Sequence, residues 1–129
     1  MHGAALRIVV VVLALSLAAC ASGGSMEAGG DLRPSDTSVV VRVRNNLVPQ
    51  SSAIVSVVAG TRPERVLGTV PSDATREWLV ETRLIAGSFV ILAETADRHR
   101  LVSRPIDVLA QAVITWELNQ DIVRVERAP

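Results

Sequence analysis

His99 stands out as a possible catalytic residue because it is the only histidine after His2. A Ser-His-Asp arrangement needs a nucleophile and an acid within hydrogen-bond reach of the imidazole, and Asp97 and Ser103 lie close in sequence. In an extended strand, residues four apart are separated by about 13 Å, so His99 and Ser103 meet only if the chain bends. The pattern favours an exposed histidine at a strand end, and we predict no enzyme activity.

The same segment is the best place to look for a metal, because Glu94 and Asp97 precede His99. One histidine with scattered carboxylates does not have the spacing of a metal-ligand cluster. The glycine pairs at 23–24 and 29–30 neither follow a strand nor open a helix, which excludes a phosphate-binding loop. We therefore predict neither a metal nor a cofactor.

Arg98, Arg100 and Arg104 form the densest basic group, which could face anionic headgroups or a polyanion. Acidic residues flank the group, which favours local charge neutrality: Glu94, Asp97 and Asp107. Trp78 and Trp116 could stack on sugars, but each is in phase with the apolar positions of its strand. The chain has no Tyr and one Phe, so we assign both tryptophans to the core.

Charge and cysteine content limit the classes of function. All thirteen basic residues are arginine, thirteen residues are acidic, and the formal net charge is zero. Nucleic acid is not predicted as a partner, because binding it calls for a strong positive field. The single cysteine, Cys20, excludes an internal disulfide.

The elements that would position these residues are strands. From Thr37 onward the apolar residues mostly alternate or form short runs between turn residues, and no helix is predicted. The predicted strands are Val39–Val43, Ala53–Gly60, Arg65–Val70, Arg76–Leu84, Phe89–Thr95, His99–Ser103, Ile106–Leu109, Ala112–Leu118 and Ile122–Val125.

Seven to nine short strands at intervals of about ten residues are typical of a β-sandwich. We predict an all-β immunoglobulin-like or transthyretin-like Greek key, with a small barrel as the alternative. The near-continuous run at 53–60 predicts a strand that is buried on both sides or covered by a loop. The predicted core consists of Val41, Val57, Trp78, Val80, Phe89, Ile91, Ile114 and Trp116.

The first nineteen residues have the pattern of an export signal. Arg7 is followed by twelve residues, Ile8 to Ala19, of which only Ser16 is polar. This apolar segment is too short to span a bilayer as a stable helix, and it ends in small residues, as a cleavage site requires.

The sequence Leu17-Ala18-Ala19-Cys20 resembles the lipobox of bacterial lipoproteins. The resemblance implies that Cys20 receives a diacylglyceryl group and that the chain is cut before it. Two or three acyl chains would make membrane attachment effectively permanent. Because Ala21 stands where an Asp often retains such proteins in the inner membrane, the resemblance also implies the periplasmic face of the outer membrane if the organism is Gram-negative.

The chain therefore divides into a signal peptide at 1–19, a lipidated cysteine with a flexible Gly- and Ser-rich linker at 20–36, and a β-sandwich domain at 37–129. The stretches 67–70 and 113–118 resemble small β-sandwich domains of uncharacterised bacterial envelope lipoproteins. That resemblance implies a fold and a location but no activity.

Two functions remain open from the sequence. The first is a non-catalytic interaction or structural module that docks on an envelope protein. Val39–Val43 and Ile122–Val125 are its candidate edge strands for strand addition. The second is a small-ligand-binding envelope lipoprotein with a pocket between the sheets or at the loop end.

Replacing Cys20 with Ser should release the protein from membranes, because the thiol that accepts the lipid is lost. The measurement is the fraction of the protein that sediments with membranes after cell lysis. An Ala21→Ser variant is the control, because it alters the neighbouring residue and keeps the thiol. Continued lipid attachment in the Cys20→Ser variant would overturn the lipobox interpretation.

Overall fold

A computed structural model describes residues 26–27, 32–85 and 87–128 of the chain. The predicted signal peptide and lipobox, including Cys20, lie outside the described residues. The described elements are β1 (Met26–Glu27), β2 (Ser38–Arg44), β3 (Ala53–Val58), β4 (Arg65–Val70), β5 (Thr75–Glu81), a 3-10 helix (Thr82–Leu84), β6 (Ser88–Thr95), β7 (Arg100–Val102), β8 (Ile106–Asp107), β9 (Ala112–Glu117) and β10 (Ile122–Arg127). None of the described helical residues forms a segment long and apolar enough to cross a membrane.

The strands form two sheets that pack face to face. Sheet I has the order β1-β5-β2-β9-β10, in which β2 and β9 are parallel and the other pairs are antiparallel. Sheet II has the order β4-β3-β6-β7, and the short strand β8 also pairs with β6. The protein is therefore an all-β sandwich, as predicted, and its sheets do not close into the alternative small barrel.

The sheet order distinguishes the two predicted Greek keys. In an immunoglobulin domain, the first two consecutive strands lie side by side in one sheet. Here the consecutive strands β2 and β3 lie in different sheets, and so do β4 and β5. The order β5-β2-β9-β10 facing β4-β3-β6-β7 is the transthyretin-like arrangement.

Side chains that alternate along the strands fill the space between the sheets. Strand β2 directs Val39, Val41 and Val43 inward, and all three are fully buried. Every residue of the predicted core is buried, with the side chains between 0% and 2% exposed. The sandwich interior is therefore built mainly by Val and Ile, which suit a pleated and half-buried surface.

Two adjacent asparagines close one end of the sandwich. Asn45, which is 1% exposed, donates from its side-chain amide to the carbonyl oxygens of Ser51 (2.7 Å) and Val70 (3.1 Å). Asn46 accepts a hydrogen bond from the backbone N–H of Asn119 at 2.9 Å. The sequence predicts a turn at this point. The structure shows in addition that Asn45, the first residue of the turn, links sheet I to the end of β4 in sheet II by hydrogen bonding.

Several element predictions are corrected by the structure. Strand β5 ends at Glu81, and the chain then turns through the 3-10 helix so that Ile85 becomes buried. Strand β3 ends at Val58, and its outer side is open to solvent at Ile54, which is 48% exposed. Met26–Glu27, within the predicted flexible linker, pairs with β5.

The edge prediction is half right. Val39–Val43 is not an edge, because β2 pairs with β5 on one side and with β9 on the other. Strand β10 is an edge of sheet I, as predicted, with β9 as its pairing neighbour. Valine-rich alternation is equally compatible with both positions, because it reports the buried face of a strand and not its neighbours.

Replacing Trp116 with Ala should lower the free energy of unfolding by about 3–5 kcal/mol, because the indole is buried and its loss leaves a cavity. Chemical denaturation of the variant measures the change. Val48→Ala is the control, because a side chain that is 81% exposed should contribute less than about 0.5 kcal/mol. A loss below about 1 kcal/mol at Trp116 would show that this side chain is not part of the packed interior.

Candidate interaction surface

The structure places His99 in the tight turn between β6 and β7. The backbone N–H of Thr95 donates to the carbonyl of His99, and Arg98 occupies the left-handed region with φ 65°. The Asp97 carboxylate accepts from the Thr95 hydroxyl and from the backbone N–H of His99. These two hydrogen bonds lower the pKa of Asp97 below its usual value of 3.8, with the Thr95 hydroxyl as the larger cause. The Asp97 carboxylate thus stabilises the turn in which it lies.

Ser103 is buried and fully engaged by the backbone. Its hydroxyl accepts from the N–H of Ile91 at 2.9 Å and donates to the carbonyl of Arg104 at 2.9 Å. Thr95 pairs with His99 and Ile91 pairs with Ser103, so four residues of extended β6, about 13 Å, separate the two sites. The sequence candidates Asp97, His99 and Ser103 are therefore not assembled into a catalytic arrangement.

The described part of the chain holds no cluster of three or more His, Cys, Asp or Glu residues that could bind a metal ion. Glu94, the remaining member of the sequence candidate, instead lies 3.4 Å from the guanidinium of Arg100.

Both tryptophans belong to the interior, as predicted from their phase. Trp78 is 2% exposed and Trp116 is 1% exposed. The Trp116 indole N–H donates to the Asp121 carboxylate at 2.9 Å. Trp78 reaches from β5 to β4 of the other sheet, where a Cβ on Gly68 would come within 3.0 Å of its indole nitrogen. Stacking of a sugar on either indole would require the sandwich to open.

The basic group of the sequence is partly neutralised, and one of its partners comes from far away in the chain. The guanidinium of Arg100 lies between the carboxylates of Glu64 (3.3 Å) and Glu94 (3.4 Å). Arg104 donates to the carbonyl oxygens of Pro105 and Val123, each at 3.4 Å. Local neutrality therefore holds at Arg100, where one partner is the flanking Glu94 and the other, Glu64, comes from outside the segment.

The outer face of sheet II carries apolar side chains that the core does not use. The strand register places Val66, Ser56, Leu92 and Val102 in one row across the sheet. Val66 is 62% exposed and Val102 is 52% exposed, while Leu92 between them is half-buried. With Ile54 in the next row, these residues form what we call the sheet II patch: Ile54, Val66, Leu92 and Val102.

The sheet II patch surrounds a shallow concavity of about 220 Å³. Its apolar walls are Ile54, Val66 and Leu92, and its polar rim consists of Glu64, Glu94 and Arg100. An apolar centre with a charged rim is the usual anatomy of a protein interface. The ion pairs hold Arg100 at the rim, so the centre of the patch remains uncharged.

A second concavity, the tip cleft, lies at the end of the sandwich where the 45–52 and 95–99 turns meet. Its volume is about 310 Å³. The first turn contributes an apolar wall from Leu47, Val48 and Pro49, and the second contributes Asp97 and His99. The lower limit of ordinary small-molecule sites is about 300 Å³, and the cleft residue Val48 is 81% exposed.

Comparison with known proteins assigns neither a family nor a function to the chain. No family model matches the chain, and no curated protein matches it. An NMR structure of a protein from Eubacterium rectale is similar with a TM-score of 0.45 and 14% identity, over 70% of this chain and 88% of that one. At this level of similarity, no residue role is carried over.

Sequence reasoning missed the sheet II patch because it predicted that β3 was covered on its outer side. The signal was present in the phase of the apolar residues. Leu92 alternates with the core residues Ile91 and Ala93, so it must face outward if they face inward. Pairing across four strands then collects outward residues that are up to 48 positions apart, from Ile54 to Val102, and no local pattern shows that grouping.

The Asp97 carboxyl should titrate with a midpoint below 3.8 in NMR spectra of the folded protein, because the Thr95 hydroxyl and the His99 N–H stabilise its charged form. Since the folded pKa is lowered, the stabilisation is present above the unfolded pKa and is lost as pH falls through the folded value. Thr95→Val removes the main cause and should raise the midpoint. An unchanged midpoint in this variant would contradict the assignment.

Proposed function

We propose that the chain is a lipid-anchored cell-envelope lipoprotein whose β-sandwich is a non-catalytic interaction module. The sheet II patch is the observation that carries the interaction role. Its valines at 66 and 102 are more than half exposed. Full burial of a side chain of this size stabilises a protein or a complex by about 1.5–3 kcal/mol, so a partner that covered them would gain affinity. Contiguous apolar surface with a polar rim marks a binding site more often than scattered apolar residues do.

The anchor is proposed from Leu17-Ala18-Ala19-Cys20 and from the signal-like segment before it. Ala21 supports the periplasmic face of the outer membrane in a Gram-negative cell. In this proposal the partner is another protein of the envelope, and neither nucleic acid nor a metal takes part.

A non-catalytic role is supported by the way in which the polar candidates are used. The Ser103 hydroxyl is engaged with the backbone at Ile91 and Arg104, and the Asp97 carboxylate is engaged within its own turn. A nucleophile or general base must be able to reach a substrate, and these groups act as structural hydrogen-bond partners.

The alternative function is binding of a small ligand, and the tip cleft is the observation that favours it. Its apolar wall could hold a hydrophobic group while Gln50, Asp97 or His99 contacts a polar one. Val48, which is 81% exposed, offers the most accessible apolar surface at this end of the molecule.

A mild crosslink of the lipidated protein in living cells, followed by mass spectrometry, tests the two functions together. The Val66→Thr/Val102→Thr double variant keeps the β-branched shape and replaces one methyl of each side chain with a hydroxyl group. We expect it to reduce the yield of the crosslinked partner about ten-fold, because these two valines are the most exposed apolar side chains of the patch and would be buried by the partner.

Val48→Thr is the matched control, because it makes the same change at an exposed valine in the tip cleft. It should leave the crosslink yield unchanged. An equal yield in the double variant would remove the sheet II patch from the proposed function. If only the Val48→Thr variant lowered the crosslink yield, the binding site would be the tip cleft and not the sheet II patch.

A further inference from the structure

We infer that two copies of this chain pair through strand β10, so that sheet I continues from one copy into the next. The inference is carried by the self-complementary order of backbone groups and charges along β10. It goes beyond the proposed function, because it concerns sheet I and depends neither on the lipid anchor nor on the sheet II patch.

Strand β10 is the longest regular strand among the open edges of the two described sheets. It spans six residues, Ile122–Arg127, and pairs with β9 without a register shift. The other edges are irregular or short: the pairing of β4 shifts register between Val55 and Ser56 of β3, β7 has three residues, and β1 has two. Bulges and short edge strands prevent unwanted pairing, so β10 is the described edge that is most open to another strand.

The backbone of β10 presents three residues to the open edge. In an antiparallel pair, successive residues alternate between bonding to the neighbouring strand and pointing away from it. The N–H of Ala128 donates to the carbonyl of Gln111 just beyond the β9·β10 register, which assigns the even-numbered residues of β10 to β9. The N–H and C=O groups of Val123, Val125 and Arg127 therefore point to the open edge.

Arg104 occupies part of this edge. Its guanidinium donates to the Val123 carbonyl at 3.4 Å, which agrees with a carbonyl that points away from β9. A hydrogen bond of this length is weak, and the Arg104 side chain is exposed. The side chain can therefore move aside when a second strand approaches.

One antiparallel register joins two copies of β10 with all of these backbone groups paired. When Val125 lies opposite Val125 of the second copy, Val123 lies opposite the second copy's Arg127. Each facing pair then exchanges both of its N–H···O bonds. A twofold axis passes between the two copies of Val125, so the interface is isologous and closes at two copies.

The same register brings opposite charges together on the outer face of sheet I. Arg124 and Glu126 lie on that face, because their partners in β9 alternate with the buried Ile114. Both side chains are exposed, and neither forms an ion pair within the described chain. Arg124 of each copy lies opposite Glu126 of the other, and opposite charges in this position stabilise a sheet.

Neighbouring registers lack this complementarity. Among registers that keep the outward backbone groups facing each other, the nearest shift in one direction sets Arg124 opposite Arg124 of the second copy. The nearest shift in the other direction sets Glu126 opposite Glu126. Because like charges directly opposite each other destabilise a sheet, the charges of β10 select one register and favour a second copy of this chain as the occupant of the edge.

The pairing also affects how the sheet II patch is presented. A twofold axis perpendicular to sheet I keeps both copies of sheet II on the same side of the continuous sheet. The two patches would then face a partner surface together, and a bivalent contact binds more tightly than either patch alone.

Cysteine crosslinking in cells that produce the full chain tests the register. Val125→Cys places a thiol beside the twofold axis, where the Cα atoms of facing residues lie about 5.5 Å apart and a disulfide can form. Val123→Cys is the matched control: this valine is also half-buried on the inward face of β10, but its two copies would lie about 14 Å apart along the strands. After oxidation with copper phenanthroline, Val125→Cys should give about ten-fold more disulfide-linked homodimer. Mass spectrometry of the linked peptides separates this product from any linkage through Cys20.

Two other results of this experiment would overturn the inference. Equal yields from Val125→Cys and Val123→Cys, or a higher yield from Val123→Cys, would contradict the register. Linkage of position 125 to a different protein, without a homodimer, would assign the edge to strand addition by that protein.

Charge reversal tests the pairing at exposed positions, where a change carries little risk to the fold. In the Val125→Cys chain, adding either Arg124→Glu or Glu126→Arg sets like charges opposite each other and should lower the homodimer yield about ten-fold. Production of the two reversed chains together, with tags of different size, should restore linkage between them, because opposite charges then face each other again. Arg65→Glu, the same change at an exposed residue of the β4 edge, is the matched control and should leave the yield unchanged. Failure of the two reversed chains to link to each other would overturn the inference.

Discussion

The rest of the structure depends on the burial of strand β2 at the centre of sheet I. This strand is paired with β5 and β9 along its length, and its inward valines at 39, 41 and 43 are fully buried. Its outward residue Val40 is also fully buried, so β2 is covered on both sides for part of its length. A strand held in this way fixes the register of both neighbours, because a shift by one residue would exchange its two faces.

The connection between the two sheets depends on close packing and on a few buried polar ties. Trp78 approaches Gly68 so closely that a side chain at that position would force one of them to move. Asn45 crosses from the end of β2 to the end of β4 through its side-chain amide. A buried amide that lost these carbonyl partners would leave polar groups unsatisfied, so this tie specifies where the sheets meet as well as stabilising them.

The same sandwich gives its two outer faces different surfaces. On sheet II, Arg100 is held between two glutamates at the rim, and the centre of the face is apolar. On sheet I, arginines pair with carboxylates across the face, Arg42 with Glu77 and Arg44 with Glu117. A two-layer sandwich keeps its outer faces on opposite sides, so these two surfaces are presented to solvent separately.

The sequence by itself determined the all-β class, the alternation of strands such as β2, β6 and β9, and the full set of predicted core residues, because side-chain phase is a local property with a period of two. It also supplied the lipobox resemblance at Cys20, which stays a prediction because that segment lies outside the described residues. Only the tertiary structure decided that β2 is central and β10 is an edge, that Glu64 reaches Arg100, and that Ile54, Val66, Leu92 and Val102 share one surface. These features arise from pairing between strands that are distant in sequence, and neither periodicity nor composition carries information about which strands become neighbours.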